Sequence, residues 1–259
     1  MKKIFIAMIF LFVLRNVQAE LKSELVDYKD GDVLLEGYLV YDESLTGPRP
    51  GVLVVHEWRG LNDYAKRRAE ELARMGYIAF ALDMYGKGVY AENHQEAAKL
   101  SGVFRDDRNL MRTRARSGLE VLRKHPLSDD GKIAAIGYCF GGMAVLELAR
   151  SGENLKGAAS FHGGLNTPHP EDAKNIKCPI IVFHGGDEKF VSDEEVSGFE
   201  SEMRDAKVDW QMVIYGGAVH AFTVPEAGND PSTGLAYHEK ADHRSWRALE
   251  NFLNEIFSS

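Results

Sequence analysis

The sequence predicts an α/β fold: a mostly parallel central sheet with helices on both faces. Three observations carry this. Residues 51–56 (G-V-L-V-V-H), 77–82 (Y-I-A-F-A-L) and 179–183 (P-I-I-V-F) are short, nearly continuous apolar runs. Such runs mark strands buried on both sides. They alternate with stretches of helical period, the signature of strand–helix–strand crossovers in a parallel sheet. Turn-forming residues punctuate nearly every junction.

The elements follow in order. Lys2 and Lys3 precede an apolar run over residues 4–14, and Val17-Gln18-Ala19 closes it with small residues. A basic start, a short apolar centre and V-Q-A predict a secretory signal peptide cleaved after Ala19. The run is too short for a stable transmembrane helix. The expected organisation is therefore 1–19 signal peptide and 20–259 one domain, exported to a periplasmic or extracellular space. Residues 25–28 and 33–41 predict strands joined by a hairpin at Asp30-Gly31. Strand 51–56 leads to a helix over 62–75, which Gly76 ends. Strand 77–82 precedes a polar stretch, then helices over 94–100 and 106–124. Strand 132–136, helix 141–150, strand 157–161, strand 179–183, helix 194–205, strand 208–215 and helix 236–256 complete the series.

Composition narrows the function. The 259 residues are 44% hydrophobic and 27% charged, enough apolar content for one substantial core. Formal net charge is −8; without Lys2, Lys3 and Arg15 the balance is 28 basic against 39 acidic residues, a net of −11. An acidic chain with no basic cluster is a poor fit to nucleic acid or an anionic membrane surface. The expected partner is a small molecule.

In a parallel sheet, ligands bind beyond the carboxyl ends of the strands. The residues there include His56-Glu57-Trp58-Arg59, Asp83-Met84-Tyr85-Gly86-Lys87, Cys139, His162, His184 with Asp187, and His220. Gly137-Tyr138-Cys139-Phe140-Gly141 has the G-x-C-x-G form of a nucleophile elbow. The elbow needs small residues two positions either side of a strained nucleophile. The following helix would aim its positive N-terminal end at the sulfur, which favours thiolate over thiol. Cys139, Asp187 and His220 stand in the order nucleophile, acid, base that this architecture uses. His220 would move the proton and Asp187 would orient its ring. Cys178 opens the strand at 179–183, at the opposite sheet edge from Cys139, so a disulfide between them is not expected. His56-Glu57 lacks the second histidine of a zinc helix, because position 60 is Gly60. No metal or organic cofactor is implied.

The motifs V-V-H-E-W-R-G, A-L-D-M-Y-G, I-G-Y-C-F-G-G, F-H-G-G-D and Y-G-G-A-V-H-A-F together resemble the dienelactone hydrolase family, cysteine-nucleophile members of the α/β-hydrolase fold. The resemblance runs from about residue 22 to 257. It implies hydrolysis of carboxylic esters or lactones through an acyl-thioester. It implies that Glu57 helps control ionisation of Cys139, and that the backbone N–H groups of Trp58 and Phe140 form the oxyanion hole. It makes Tyr85 a candidate pocket wall. In the family two arginines grip the carboxylate of dienelactone; at the matching positions this sequence has Lys87 and Val224. Lysine keeps a charge but not the planar two-point grip, and valine keeps neither. Tyr85, Lys87 and Arg59 are the substrate-binding candidates, and dienelactone itself stays an open, less favoured substrate among esters and lactones. The competing readings are a non-catalytic binding protein on the same scaffold and a thiol redox protein.

Overall fold

The computed structural model describes residues 19–258. The expected signal peptide lies, but for Ala19, outside the described residues. Eight strands form one sheet in the order β1-β2-β4-β3-β5-β6-β7-β8. β1 (Leu21–Asp30) and β2 (Val33–Asp42) are the expected hairpin, turning at Gly31 with a left-handed φ of 58°. β2 joins β4 (Ile78–Leu82) antiparallel. From β4 onward through β3 (Arg49–Val55), β5 (Ser128–Tyr138), β6 (Gly157–Phe161), β7 (Ile180–Gly185) and β8 (Trp210–Tyr215) every pairing is parallel.

Alternation along the strands supplies two cores. Leu53 and Val55 of β3, Phe80 and Leu82 of β4, and Ile133 and Ala135 of β5 face one layer. That layer holds α2 (His94–Asp106), α3 (Arg108–Lys124), α4 (Phe140–Arg150) and α5 (Asp193–Asp205). Val52, Val54, Ala79, Ala81, Ala134 and Ile136 face the other, under α1 (Asp63–Arg74) and α6 (Glu239–Ser258). Because both faces are covered, the strand sequences read as unbroken apolar runs.

Local chemistry sets the helix starts. The Asn62 side chain accepts from Ala65 N, and Asn93 from Glu96 N, each filling an orphan donor of its helix. Asp107 ends α2 and caps α3 by accepting from Leu110 N at 2.9 Å. α2 runs six residues beyond the expected 94–100, and β5 extends past 132–136 at both ends. Beneath the site, fully buried Arg150 bonds Glu202 twice at 2.7 Å, Glu147 at 3.2 Å and the Leu165 carbonyl at 2.9 Å. This ties α4, α5 and the loop after β6 together. Removing one charge would leave its partner buried and unpaired, at a cost of about 3–5 kcal/mol.

Candidate active site

The C-terminal ends of β3, β5, β6, β7 and β8 open on one cavity of about 1160 Å³. Cys139, His220, Glu57, Trp58 and Phe140 all line it.

Cys139 sits between β5 and α4 with φ 53° and ψ −114°, a strained conformation for a residue with a side chain. Its N–H donates to the Phe161 carbonyl at 2.9 Å, and its carbonyl accepts from Gly142 at 3.0 Å. The flanking glycines are required by contact. A Cβ at Gly137 would lie 2.0 Å from Gly141 O, and one at Gly141 would lie 2.2 Å from Val55 O. The elbow therefore folds tightly against itself and against the end of β3. Phe140 is the first residue of α4, so its N–H has no intrahelical acceptor. Among the described residues neither that N–H nor the Trp58 N–H meets a protein acceptor.

Cys139 Sγ lies 3.1 Å from His220 Nε2. His220 Nδ1 donates to Glu188 Oε2 at 2.9 Å. The other carboxylate oxygen, Oε1, accepts from the backbone N–H of Lys189 and Phe190, both at 2.9 Å. This corrects the expectation for Asp187, whose side chain is solvent-exposed and makes no contact with His220. The turn after β7 explains the shift. Gly186 N bonds Tyr215 O at 2.8 Å and Asp187 N bonds Ala218 O at 2.9 Å. With the backbone pinned there, residue 187 faces outward and residue 188 turns back under the imidazole. The longer glutamate side chain then spans the gap.

The electrostatics agree with a charged pair. Burial opposes a charge on His220, but its contacts with Cys139 and then Glu188 outweigh burial and raise its pKa to about 10. Burial would also raise Glu188, but the hydrogen bond and charge of His220, helped by the two backbone donors, hold it below the usual glutamate range. The edges of His162 and Phe190 fix the imidazole, with ring centroids 5.3 Å away in each case.

Behind the pair, His162 Nε2 and Tyr64 OH share the Thr223 hydroxyl at 2.7 and 2.6 Å. Burial, and then His220, push His162 well below its ordinary pKa, so it stays neutral. His184 is likewise held neutral, chiefly by burial. His56 donates from Nδ1 to the Glu57 carbonyl at 2.5 Å and accepts at Nε2 from Met84 N at 3.1 Å, which fixes the loop that carries Glu57 and Trp58.

Other expected residues fall differently. Glu57 lines the pocket, and burial lifts its carboxyl to about 7. No hydrogen bond joins it to Cys139, whose sulfur turns to His220 instead. Tyr85 is not on the cavity surface. It stands one layer behind, donating from its hydroxyl to the Trp58 carbonyl at 2.8 Å and packing on Phe140, so it positions the Trp58 peptide. Lys87 is corrected outright: it pairs with Asp27 at 2.7 Å and Glu36 at 2.8 Å, outside the cavity. Arg59 lines the cavity and donates to the carbonyls of Ala91 and Glu92 at 3.3 and 2.9 Å. Asp83 is structural, accepting from Tyr85, Gly86 and Glu36 N–H groups. Cys178, at the far end of β7, is a free buried thiol, which burial pushes up to about 12.

Sequence reasoning missed Glu188, Phe190, Arg105, Arg108 and Asn166. For Glu188 the signal was present: G-G-D-E offers two adjacent acids, and only the turn geometry decides between them. Arg105 and Arg108 come from the α2–α3 junction, which follows no strand and so carries no strand-end signal in the sequence.

Comparison with known proteins agrees with this architecture. The family model described as "Dienelactone hydrolase family" matches residues 35–257. A solved structure named "m3DLH" is 40% identical, with a TM-score of 0.89 over 92% of this chain and 99% of that one. P91, a protein from metagenomic libraries described as a dienelactone hydrolase-like promiscuous phosphotriesterase, is 42% identical, with a TM-score of 0.86 and the same coverage. A protein of Aquifex aeolicus, provisionally named a carboxymethylenebutenolidase, is 28% identical over 89% of this chain and 97% of its own length.

Proposed function

The chain belongs to the dienelactone hydrolase family, and from that premise we propose that it hydrolyses carboxylic ester or lactone bonds through an acyl-thioester on Cys139. The single observation that carries this is the line Cys139 Sγ–His220 Nε2–Glu188 at 3.1 and 2.9 Å, with Cys139 and His220 on the cavity lining.

The geometry supports the following steps. His220 holds the thiol proton while Sγ attacks the acyl carbon; a C–S bond forms and the carbonyl electrons move to oxygen. The N–H groups of Phe140 and Trp58 receive that oxyanion, and the N-terminus of α4 adds its dipole. As the intermediate collapses, the bond to the leaving oxygen breaks and His220 gives it the proton. Water then enters, His220 takes its proton, and the new oxygen–carbon bond forms through a second oxyanion. The C–S bond breaks and the acid leaves. Glu188 keeps Nδ1 protonated and stabilises the imidazolium throughout.

A binding protein would have no use for so complete a set, and a redox thiol would want a resolving cysteine that Cys178, at the far end of its strand, cannot supply. The basic, apolar start of the sequence further supports export, with residues 1–19 removed; N-terminal sequencing of protein recovered outside the cytoplasm tests this, and an intact Met1 would refute it.

The test of activity is hydrolysis of p-nitrophenyl acetate, small lactones and dienelactone, with Cys139→Ala and Cys139→Ser alongside. An aryl phosphotriester belongs in the panel because P91, 42% identical, is described as a promiscuous phosphotriesterase. Ester turnover that persists unchanged in Cys139→Ala would overturn the mechanism.

A further inference from the structure

We propose that Arg108 and Arg105, at the α2–α3 corner, form an anion subsite that selects esters or lactones whose acyl part carries a carboxylate a few bonds from the scissile carbonyl. The proposal rests on the hydrolytic reading of Cys139 given above. Arg108 lines the cavity yet is only 7% exposed. Among the described residues no carboxylate forms an ion pair with it, and its Nε has no partner. One terminal nitrogen lies against Met143 Sδ, and the other reaches the Asn166 carbonyl and side-chain oxygen only at 3.5 Å. Other buried arginines differ. Arg68, Arg114 and Arg150 each meet a carboxylate. Arg49 has two backbone carbonyls at 2.7 and 2.8 Å.

A buried guanidinium with no carboxylate in contact is costly, and a substrate anion would relieve it. Burial, together with Arg150 and Arg105, already holds the Arg108 pKa below its usual value, despite the charges of Glu147 and Glu195. Arg105, in the last turn of α2, lines the same cavity and is exposed, and its side chain has no hydrogen bond or ion pair among the described residues. The nearest competing acid on the lining, Glu195, already accepts from the N–H groups of Leu165 and Asn166 at 2.5 and 3.0 Å. Glu57 comes from the loop after β3, on the oxyanion side. Arg108 is separate from both Lys87 and Val224.

The reach sets the substrate length. Met143, which touches Arg108, is one helical turn beyond Cys139 on α4, roughly 6 Å along the axis. A carboxylate held there fits an acyl chain of about four or five carbons, such as the monoester of a short dicarboxylic acid. A planar guanidinium beside a carboxylate gives the paired hydrogen bonds that favour such a group.

The experiment compares kcat/KM for mono-p-nitrophenyl glutarate and p-nitrophenyl valerate in wild type, Arg108→Gln, Arg108→Lys and Arg105→Gln. Wild type should favour the glutarate ester. Arg108→Gln should cut the glutarate-to-valerate ratio about 10- to 100-fold, mainly through KM, as loss of a hydrogen bond to a charged group predicts. Arg108→Lys should keep part of the ratio, and Arg105→Gln should lower it by a smaller factor. Calorimetry of glutarate with Cys139→Ala measures the subsite without turnover, and binding should weaken when Arg105→Gln is added. No preference in wild type, or equal losses on both esters in Arg108→Gln, would overturn the subsite. If Arg108→Gln fails to fold, the wild-type ratio and Arg105→Gln decide. If neither ester is cleaved, the hydrolytic reading fails, while calorimetry still judges the subsite: no glutarate binding sinks it.

Discussion

Replacing Glu188 separates two adjacent acids that look equivalent in sequence. In Glu188→Gln the charge that faces His220 Nδ1 at 2.9 Å disappears, while the side chain keeps its size. The Glu188 carboxylate side chain is only 2% exposed, so solvent does not compensate. Breaking a buried charge pair by removing one partner costs about 3–5 kcal/mol. At about 1.4 kcal/mol per tenfold, kcat/KM on p-nitrophenyl acetate should fall on the order of 10²–10³-fold. His220 should also lose part of what lifts it to about 10, so any basic limb of the pH–rate profile that reports it moves to lower pH. Asp187→Asn should change kcat/KM less than about twofold, because its exposed carboxylate touches nothing catalytic and its backbone N–H bond to Ala218 survives. Stopped-flow or plate assays of both variants at matched pH read the result. If Asp187→Asn costs hundreds-fold and Glu188→Gln little, the turn after β7 does not select the acid as its geometry requires.

Further outcomes follow from the same geometry. Glu57, lifted to about 7, should give kcat/KM an inflection near pH 7 that Glu57→Gln lacks; activity falls above it as a negative charge appears beside the oxyanion site. Because its folded pKa is raised, Glu57 contributes most to stability below the unfolded value of about 4.5 and loses that contribution as pH rises through about 7; thermal melts should show Glu57→Gln gaining on wild type by roughly 2–3 kcal/mol between pH 5 and pH 9. Gly141→Ala should lower stability by about 3 kcal/mol or more, since its Cβ meets the rigid Val55 carbonyl at 2.2 Å; an unchanged melting curve would contradict the elbow geometry. Lys87→Met should leave kcat/KM for neutral and acid-bearing esters within about twofold, as its partners Asp27 and Glu36 lie outside the cavity; selective loss on acidic esters would restore it as a binding residue.

The parallel core was legible because burial on both faces leaves a direct trace in the sequence: unbroken apolar strands such as 51–56, each followed by polar loops at one edge. The elbow was legible for a similar reason, since Gly137 and Gly141 are demanded by backbone contacts of their own local turn. Asp187 against Glu188 was not, because it depends on long-range bonds that pin Gly186 to the end of β8 and Asp187 to the loop after it. Lys87 was placed by its neighbours in sequence, but the β1–β2 hairpin supplies Asp27 and Glu36 and draws its side chain away. The α2–α3 corner was hidden by a boundary. The expected helix ended at residue 100, whereas α2 continues to Asp106 and meets α3 at Asp107, a corner that sets Arg105 and Arg108 on the cavity lining.

The most direct test of the central claim is to quench the protein in acid during turnover of p-nitrophenyl acetate and map the adduct by peptide mass spectrometry. A single acetyl group on Cys139, formed and lost at the catalytic rate, is the predicted result. Turnover with no adduct on Cys139, or an acetyl group elsewhere that turns over at the catalytic rate, would contradict it.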